Sequence, residues 1–290
     1  MDTIEDDMTL SFEKKEPLLR NFSKFMYKKG WNYTESGPDE RDRNLLLEFD
    51  VVIEEFSRLK KEDIIIDIAS ETGNGMADYM TDAARTVVTN EDFDLYCYYV
   101  AGLVGVGLSR IFAVSGLESP EIAKEIKYPK AMGLFLQKTN IIRDYLDDVG
   151  NGRYYWPKEI WSRYTNDLAL LKEPGYETEG IHCLSDVVVN TLQHVPDCLT
   201  YMHRLRNPSI FNFCAIPQVM AIASLALFFR NYDIYRKVVK IRRVESIKLI
   251  LKCNNIYEVA HTFRQNIRVI IAKNDPSDPN FLKISMACGQ

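Results

Sequence analysis

The stretch Asp144-Tyr-Leu-Asp147-Asp148, near the middle of this 290-residue chain, places acidic residues at positions i, i+3 and i+4. On a helix these positions project from one face, so the stretch predicts a helix with three neighbouring carboxylates. Like charges at this spacing repel one another, and a hard divalent cation such as Mg2+ reverses that penalty. The stretch therefore predicts both a helix and a candidate magnesium site.

A second acidic stretch of the same form, Asp2-Thr-Ile-Glu5-Asp6-Asp7, begins the given sequence. Mg2+ is usually held by one or two carboxylates per helix, together with waters and phosphate oxygens of a substrate. Two such clusters facing each other would form a cavity that binds a diphosphate. The candidate metal ligands are Asp2, Glu5, Asp6, Asp144, Asp147 and Asp148.

Spacing alone is not specific, because the pairs Asp63/Asp67 and Asp78/Asp82 are also four residues apart. Neither pair has the additional acid at i+3, and each is typical of an amphipathic helix or its ends. For any single pair a solvated helix face is the commoner explanation. The recurrence of the denser form favours a metal site at the two clusters.

Composition narrows the class of protein. The chain is 46% hydrophobic and 27% charged, which is enough for a substantial core. A net charge of −5 argues against nucleic acid as the main ligand. The six cysteines include no CxxC pair and the four histidines no HExxH, so neither a disulfide framework nor a zinc site is predicted, and a reducing compartment fits best.

Helical periodicity dominates the chain. Apolar residues recur at steps of three and four at Leu45, Phe49, Val52, Phe56 and Leu59, which predicts a helix with one buried stripe. No β-alternation, repeat or linker-like composition was found. We therefore expect a single all-α domain over residues 1–290.

The region 89–111 predicts one long helix. Thr89-Asn-Glu-Asp92 resembles a capping box at its start. Gly102, Gly105 and Gly107 lower helix propensity, so they indicate close approach by another part of the molecule.

Two apolar stretches, residues 96–108 and 215–229, are thirteen and fifteen residues long. Both fall short of the roughly 20 residues that span a bilayer. We expect the chain as given to be soluble.

Polar residues accumulate at helical offsets before the second acidic cluster. Gln137, Asn140 and Asp144 are interleaved with leucines and isoleucines, so they would be costly on a core-facing surface unless they line a wet or ligand-filled cavity. Arg143 has two interpretations from sequence, a bidentate contact with diphosphate oxygens or a salt bridge to a nearby acid.

Four ordered stretches resemble the squalene synthases, within the wider group of class I prenyl synthases that includes the phytoene synthases. Two are the stretch from Asp2 and Tyr96-Cys-Tyr-Tyr-Val-Ala-Gly-Leu-Val-Gly. The other two are Met132-Gly-Leu-Phe-Leu-Gln-Lys-Thr-Asn-Ile-Ile-Arg-Asp and Leu205-Arg-Asn-Pro-Ser-Ile-Phe-Asn-Phe-Cys-Ala-Ile-Pro-Gln-Val-Met. They run in family order across nearly the whole chain and are highly specific.

The resemblance implies a single large helical bundle around a central cavity, of the class I isoprenoid synthase type. It also implies a transferase of sterol biosynthesis that uses Mg2+ and NADPH. Two farnesyl diphosphates condense to presqualene diphosphate, which is then rearranged and reduced to squalene.

The resemblance also implies residue roles. Tyr96 would act in the cyclopropane-forming step with its proton transfer, and Phe213 in the later rearrangement. Periodicity alone would make both core aromatics. The implied substrate contacts are Val100, Gln137, Asn140, Arg143 and Cys214.

NADPH is inferred from the resemblance alone, because Gly73-x-Gly75 and Gly105-x-Gly107 both lack the third glycine of a Rossmann fingerprint. The implied cofactor contacts are Asn140, Arg153, Lys240, Arg242 and Arg243. Solvated surface charge is the competing interpretation of the run from Lys240 to Arg243.

The family pattern extends beyond both ends of this chain, with further helices upstream and a membrane anchor downstream, so we expect a sequence truncated at both ends. The full-length protein is expected on the endoplasmic reticulum membrane, with its catalytic domain in the cytosol. Two alternatives remain: a phytoene- or dehydrosqualene-type synthase without reduction, and a non-catalytic helical interaction protein.

Overall fold

The structure, a computed structural model, describes residues 1–38, 40–58, 62–80 and 87–289. The chain divides into two compact units, Met1–Arg85 and Thr86–Gln290, and each is described by itself. Of the described residues, 71% are helical, and none forms a β-strand. The predicted all-α fold class is confirmed, while a single domain over residues 1–290 stays a prediction.

Helices α1 to α6 belong to the first unit. They are α1 (Asp2–Asp6), α2 (Phe12–Arg20), α3 (Phe22–Phe25), α4 (Arg43–Leu47), α5 (Phe49–Phe56) and α6 (Glu62–Met80). Helices α2 and α6 lie in close contact, because a Cβ added at Gly73 would sit 2.2 Å from the Leu19 carbonyl oxygen. Arg20 of α2 also pairs with Asp78 of α6 at 2.9 Å, so Asp78 is part of a helix surface, as its pattern indicated. Asp82 lies outside the described residues.

The apolar stripe predicted from residue 45 is confirmed at Phe49 and Phe56 and wrong at Leu45 and Val52. Leu45 and Val52 are exposed, and Leu59 lies outside the described residues. The buried positions are Leu46, Phe49, Ile53 and Phe56. Glu48 ends α4 and caps α5 with non-helical dihedral angles. Leu45 and Phe49 therefore lie on different helices, and periodicity read across the break misplaces Leu45.

Helices α7 to α17 belong to the second unit. They are α7 (Asn90–Cys97), α8 (Leu103–Val114), α9 (Lys127–Arg143), α10 (Tyr145–Gly150), α11 (Lys158–Trp161), α12 (Glu177–Leu192), α13 (Val195–Arg204), α14 (Pro208–Phe228), α15 (Arg243–Leu251), α16 (Ile256–Lys273) and α17 (Phe281–Gly289). A π-helical turn, Tyr98–Gly102, joins α7 to α8. Short 3-10 helices occur at Pro120–Ala123, Leu168–Lys172 and Tyr232–Tyr235.

Helix α9 is the centre of this unit. It contacts α7, α8, α12, α13, α14 and the π-helical turn, and Phe135 and Ile142 on it are fully buried. A Cβ at Gly105 would lie 2.2 Å from the Pro129 carbonyl oxygen, and one at Gly133 would lie 2.3 Å from that of Ala101. The close approach predicted from the glycines is confirmed at Gly105, where the backbone of α9 approaches, and at Gly102, where an added Cβ would lie 2.8 Å from the Tyr98 side chain.

The predicted capping box is also confirmed. The Thr89 hydroxyl accepts from the Asp92 N–H at 3.0 Å, and the Asp92 carboxylate accepts from the Thr89 N–H at 3.0 Å. Together these bonds satisfy two N–H groups at the start of α7.

Two helical stretches are longer than the apolar runs counted from sequence. By length and composition alone, Asn90–Val114 with 25 residues and Pro208–Phe228 with 21 could each cross a membrane, so the expectation that both are too short is wrong. The core helix of a globular protein passes the same test, and most of the apolar window of Pro208–Phe228 is buried.

Candidate functional site

The second acidic cluster lies at the corner between α9 and α10. Asp144 separates the two helices, yet the Asp148 N–H donates to the Asp144 carbonyl at 3.0 Å, so the helical register continues across the corner. Asp144 and Asp148 therefore lie one turn apart, as predicted. Asp148 is buried, whereas Asp147 is exposed, so the three carboxylates do not share one environment.

Two arginines pair with this cluster. Arg143 is bidentate on Asp144, with both N···O distances at 2.7 Å, and Arg153 lies 2.9 Å from Asp148. The hydrogen bonds that Arg143 donates to Asp144 raise the pKa of Arg143. Of the two interpretations of Arg143, the structure contains the salt bridge to a nearby acid. A contact between Arg143 and a diphosphate stays a prediction.

The loop after α10 brings Arg153 to this corner. Gly152 has a φ of 72°, which a residue with a side chain rarely adopts, and the Arg153 N–H then donates to the Asp148 carbonyl at 2.8 Å. The Arg153 guanidinium lies 5.8 Å from the centre of the Tyr155 ring. Tyr96 stacks on the same Tyr155 ring, with 4.7 Å between the centroids of the two rings.

Tyr96 is only 3% exposed, which agrees with a core aromatic. The chain of contacts through Tyr155 and Arg153 nevertheless connects it to Asp148. The structure therefore brings the predicted catalytic tyrosine, a predicted cofactor residue and a predicted metal ligand into one neighbourhood.

An apolar cavity of about 380 Å³ lies beside α8, α9 and α14. Its lining includes Val100, Leu136, Phe213, Cys214 and Pro217. Phe213 is 58% exposed, so its interpretation as a core aromatic is wrong. Its ring meets that of Phe112 edge to face at 6.4 Å.

The few polar groups of this cavity are largely occupied by internal contacts. The Gln218 side-chain N–H donates to the Met132 carbonyl at 3.0 Å, and the Tyr201 and Ser109 hydroxyls lie 2.6 Å apart. Burial raises the pKa of Cys214 to about 12, so its thiol stays neutral. The cavity has the character of a dry hydrocarbon site.

A second, polar cavity of about 420 Å³ adjoins the first, because Leu136 and Pro217 line both. Asn140, Arg143 and Lys240 line it together, although Lys240 is about a hundred residues from the other two. These three were predicted as substrate or cofactor contacts, and the structure brings them to one place.

The sequence analysis missed the hydroxyl groups of the polar cavity, those of Thr139, Ser224 and Ser246. Thr139 and Ser224 each donate to a carbonyl one turn earlier in their helices, at 2.7 and 2.8 Å. Thr139 is adjacent to Asn140 in sequence, and this adjacency could have indicated that Thr139 lines the same cavity. Ser246 follows the basic run by three residues and gave none.

Other predicted residues lie apart from these cavities. Gln137 is partly buried and does not line either cavity. Arg242 caps α15 and Arg243 begins it, and both are exposed. Their surroundings agree with solvated surface charge, and their cofactor role stays a prediction.

The first acidic cluster, in the other unit, also contains both exposed and buried carboxylates. Asp2 and Asp6 are exposed and lie one turn apart on α1, whereas Glu5 is buried. Asp7 is also buried and accepts from the Thr9 N–H at 2.8 Å, so it stabilises a turn. Asp2 and Asp6 are therefore the pair of this cluster that is accessible to a cation.

The carboxylate oxygens of the two acidic clusters are the type of ligand that magnesium prefers. Among the described residues, no three His, Cys, Asp or Glu side chains converge on a possible metal position. Mg2+ is commonly held by one or two carboxylates, with waters and phosphate oxygens completing its six positions. The carboxylate pairs Asp144/Asp148 and Asp2/Asp6 fit that pattern, since each pair lies one helical turn apart.

Comparison with known proteins places the chain in a family. A family model described as squalene/phytoene synthase matches residues 1–245. The squalene synthases of Schizosaccharomyces pombe and Yarrowia lipolytica are 50% and 46% identical to the chain over its whole length. The chain spans 64% and 66% of those two proteins. The squalene synthase of Mus musculus is 46% identical over 98% of the chain and 67% of that protein.

Two solved complexes of TcSQS with ligands superpose with a TM-score of 0.95 each, at 38% and 37% identity. Each match covers 99% of this chain and 84% of the TcSQS chain. The sequence and structural similarities agree over nearly every residue, and the chain belongs to the squalene/phytoene synthase family.

Proposed function

We propose that the chain carries the catalytic core of a squalene synthase, which joins two farnesyl diphosphates into presqualene diphosphate and reduces that intermediate to squalene. The observation that supports this most is the adjacency of the two cavities across Leu136 and Pro217. A prenyl diphosphate has a long hydrocarbon part and a polyanionic head. The apolar and polar cavities match those two parts.

Mg2+ is proposed to bind at Asp144 and Asp148, and at Asp2 and Asp6 of the other cluster, with Glu5 and Asp147 as further oxygen donors. Bound Mg2+ would supply positive charge that stabilises the departing diphosphate. A cation held by Asp144 would compete with its ion pair to Arg143, and Arg143 would then be able to bind diphosphate oxygens.

The walls of the apolar cavity are proposed to protect the carbocation formed after diphosphate loss. Val100 and Leu136 exclude water. The exposed ring of Phe213 offers its face to positive charge, a contact worth about 0.5 to 2 kcal/mol. Tyr96 is proposed to transfer a proton during formation of the cyclopropane. Its contact with Tyr155 fixes the orientation of its ring.

NADPH is proposed to bind at the polar cavity, where it supplies the hydride of the reduction. Asn140 and Lys240 line that cavity, and the Lys240 ammonium suits a phosphate of the cofactor. Arg153, Arg242 and Arg243 complete the proposed set. Of these, Arg153 now pairs with Asp148.

The full-length protein is proposed to reside at the endoplasmic reticulum membrane with these residues on the cytosolic side. Squalene and the farnesyl chains are hydrophobic, and a membrane-bound enzyme receives and releases them without passage through water.

Product identification tests the proposal. The chain is incubated with farnesyl diphosphate, with and without Mg2+ and with and without NADPH. We expect squalene when both are present, presqualene diphosphate when NADPH is withheld, and neither when Mg2+ is removed by chelation. A non-reduced hydrocarbon formed in the presence of NADPH would instead identify a dehydrosqualene-type synthase. No Mg2+-dependent binding of farnesyl diphosphate would indicate a non-catalytic protein.

A further inference from the structure

Helix α15 presents an apolar face to solvent. Val244 is 65% exposed, Ile247 57%, Ile250 41% and Leu251 69%. At 100° per residue these four positions fall within one arc of the helix. The opposite side holds α15 to the unit, where Leu249 is buried and Ser246 lines the polar cavity. This exposed apolar arc, here called the α15 face, is unusual because aliphatic side chains of a short amphipathic helix normally point inward.

The surroundings of the α15 face are strongly basic. Residues 236–252 contain seven lysines and arginines and a single acid, Glu245, in a chain whose net charge is −5. Arg243, Lys248 and Lys252 are exposed on α15 or at its end. Lys248 lies 3.6 Å from Glu245, a solvent-exposed pair that is weak in water. The segment therefore combines exposed aliphatic groups with locally concentrated positive charge.

We propose that α15 docks on an anionic lipid surface. The helix lies in the plane of the interface, with Val244, Ile247 and Leu251 among the acyl chains. Lys248 and Lys252 contact the phosphate groups of the lipids, because long basic side chains extend from an apolar surface to the headgroup level. This surface is separate from any membrane-spanning segment of the protein.

The chemistry of the face selects lipid over other partners. A second copy of the chain would bring the same basic segment against itself in a symmetric contact, and like charges would oppose it. Nucleic acid would satisfy the lysines and arginines but would leave Val244, Ile247 and Leu251 against phosphates. An anionic membrane provides phosphates and hydrocarbon in one surface.

Docking at α15 would also position the cavities. Lys240, Ile241 and Ser246 line the polar cavity and lie immediately before α15 or within it. The membrane contact therefore places that cavity beside the interface from which a prenyl lipid arrives. Docking of α15 on lipid does not depend on which ligand the cavity holds or on the proposed reaction.

Vesicle sedimentation tests the proposal with the full 290-residue chain. The lipids are phosphatidylcholine alone, or phosphatidylcholine with about a third phosphatidylserine. We expect binding to the anionic vesicles that weakens as salt is raised, because the attraction is screened, and at least about tenfold weaker binding to the neutral ones. The variant with Val244→Ser, Ile247→Ser and Leu251→Ser should lose about tenfold or more of the anionic binding.

Two further variants complete the design. Lys248→Ala with Lys252→Ala should weaken binding to anionic vesicles and leave binding to neutral ones unchanged. The matched control is Leu282→Ser with Met286→Ser on α17, where both side chains are 71% exposed, and it should bind like the parent chain. Circular dichroism establishes that each variant is folded.

Several outcomes would overturn the proposal. Equal binding of the parent chain and the Val244, Ile247 and Leu251 variant would mean general attraction to positive charge. Absence of binding to anionic vesicles at low salt would exclude a lipid surface. A concentration-dependent dimer in sedimentation velocity that this triple variant abolishes would assign the face to a second copy of the chain.

Discussion

Asp148 is a buried carboxylate that forms an ion pair with Arg153 at 2.9 Å. Replacing it, or Asp144, with Asn keeps the side-chain shape and removes the charge that would hold Mg2+. We expect each variant to lose about 100-fold or more of presqualene diphosphate formation, the range found when one group that stabilises transition-state charge is removed. The measurement is the rate of the first half-reaction at several Mg2+ concentrations.

Asp78→Asn is the matched control for the two acidic variants. Asp78 pairs with Arg20 at the surface and its side chain is 51% exposed, and such pairs contribute at most about 1 kcal/mol. Its activity should therefore equal that of the parent chain. Equal losses in all three variants, with lower melting temperatures, would mean that the aspartates of α10 are structural.

Tyr96→Phe isolates a hydroxyl group. The ring stacks on Tyr155 with an interplanar angle of 16°, and phenylalanine can keep that stacking. If Tyr96 transfers a proton, the variant should fold normally and lose about 100-fold or more of presqualene diphosphate formation, within the range of general acid–base catalysis. Turnover at the parent rate would assign Tyr96 to the core alone. Tyr155→Phe is the companion control.

At the scale of elements, the contact between α8 and α9 depends on a missing side chain. A Cβ at Gly105 would lie 2.2 Å from the Pro129 carbonyl oxygen, a backbone atom that cannot rotate away. Gly105→Ala should therefore separate the helices and lower the free energy of unfolding by about 1 to 3 kcal/mol. Gly105 also lines the apolar cavity, so prenyl binding should weaken. Urea unfolding measures the first effect.

Gly150→Ala supplies the control for this substitution. Gly150 is the last residue of α10, and no atom lies within 4 Å of a Cβ built there. Alanine has the higher helix propensity, so stability should be unchanged or slightly higher. A loss at Gly150 similar to that at Gly105 would show that the packing of α8 against α9 is not the cause.

Local signals in the sequence predicted elements well where a short motif determined them. The capping box at Thr89 and the close approach at Gly105 are confirmed, because each depends on groups within a few residues or on backbone contact. In the stripe from Leu45, Phe49 and Phe56 are buried as predicted, whereas Leu45 is not, because Glu48 separates two helices and no proline or glycine marks that break. The exposure of Phe213 also escaped periodicity, since α14 is apolar on nearly all sides.

Residues of the candidate site were named from sequence, and their roles stay predictions. Asn140, Arg143 and Lys240 line one cavity, together with residues of α14 and of the segment before α15. Such contacts between distant segments leave no periodic trace. The salt bridge of Arg143 with Asp144 was one of two open alternatives, and adjacent residues at a helix corner give no sequence rule that decides between them.

At the scale of the whole molecule, a buried lysine of the second unit connects three of its helices, α7, α9 and α12. Lys138 is fully buried on α9 and lies 2.5 Å from both Asp94 of α7 and Asn190 of α12. Asn190 in turn donates to Asn90 at 2.8 Å. Removing one partner of such a network leaves an uncompensated charge, so the network couples the stability of several helices.

His194, at the start of α13, responds to this network. Its Nε2 atom is buried without a hydrogen-bond partner among the described residues. Burial lowers the pKa of His194 to about 3, with a further lowering by Lys138 and Lys130 and a smaller raising by Asp94. The folded protein therefore keeps this ring neutral at pH values where the unfolded chain protonates it.

The consequence is a loss of stability in mild acid. Above about pH 6.5 the ring is neutral in both states and contributes no pH dependence. As the pH falls from 6.5 toward 3, the unfolded chain binds a proton that the folded protein does not, so the free energy of unfolding falls by on the order of 1 kcal/mol per pH unit. His194→Gln should reduce the slope of stability between pH 6.5 and 5, where most carboxylates remain ionised. Urea unfolding at several pH values measures it.

His203→Gln is the comparison that makes this result decisive. His203 lies on the same helix, α13, and is exposed, so its replacement removes one histidine from α13 and leaves the buried ring of His194 in place. Lys138→Met should raise the pKa of His194, because a neighbouring positive charge that opposes protonation is gone, and the slope should diminish in the same window. If His194→Gln keeps the parent slope, the acid sensitivity originates elsewhere, and the buried ring does not link protonation to unfolding.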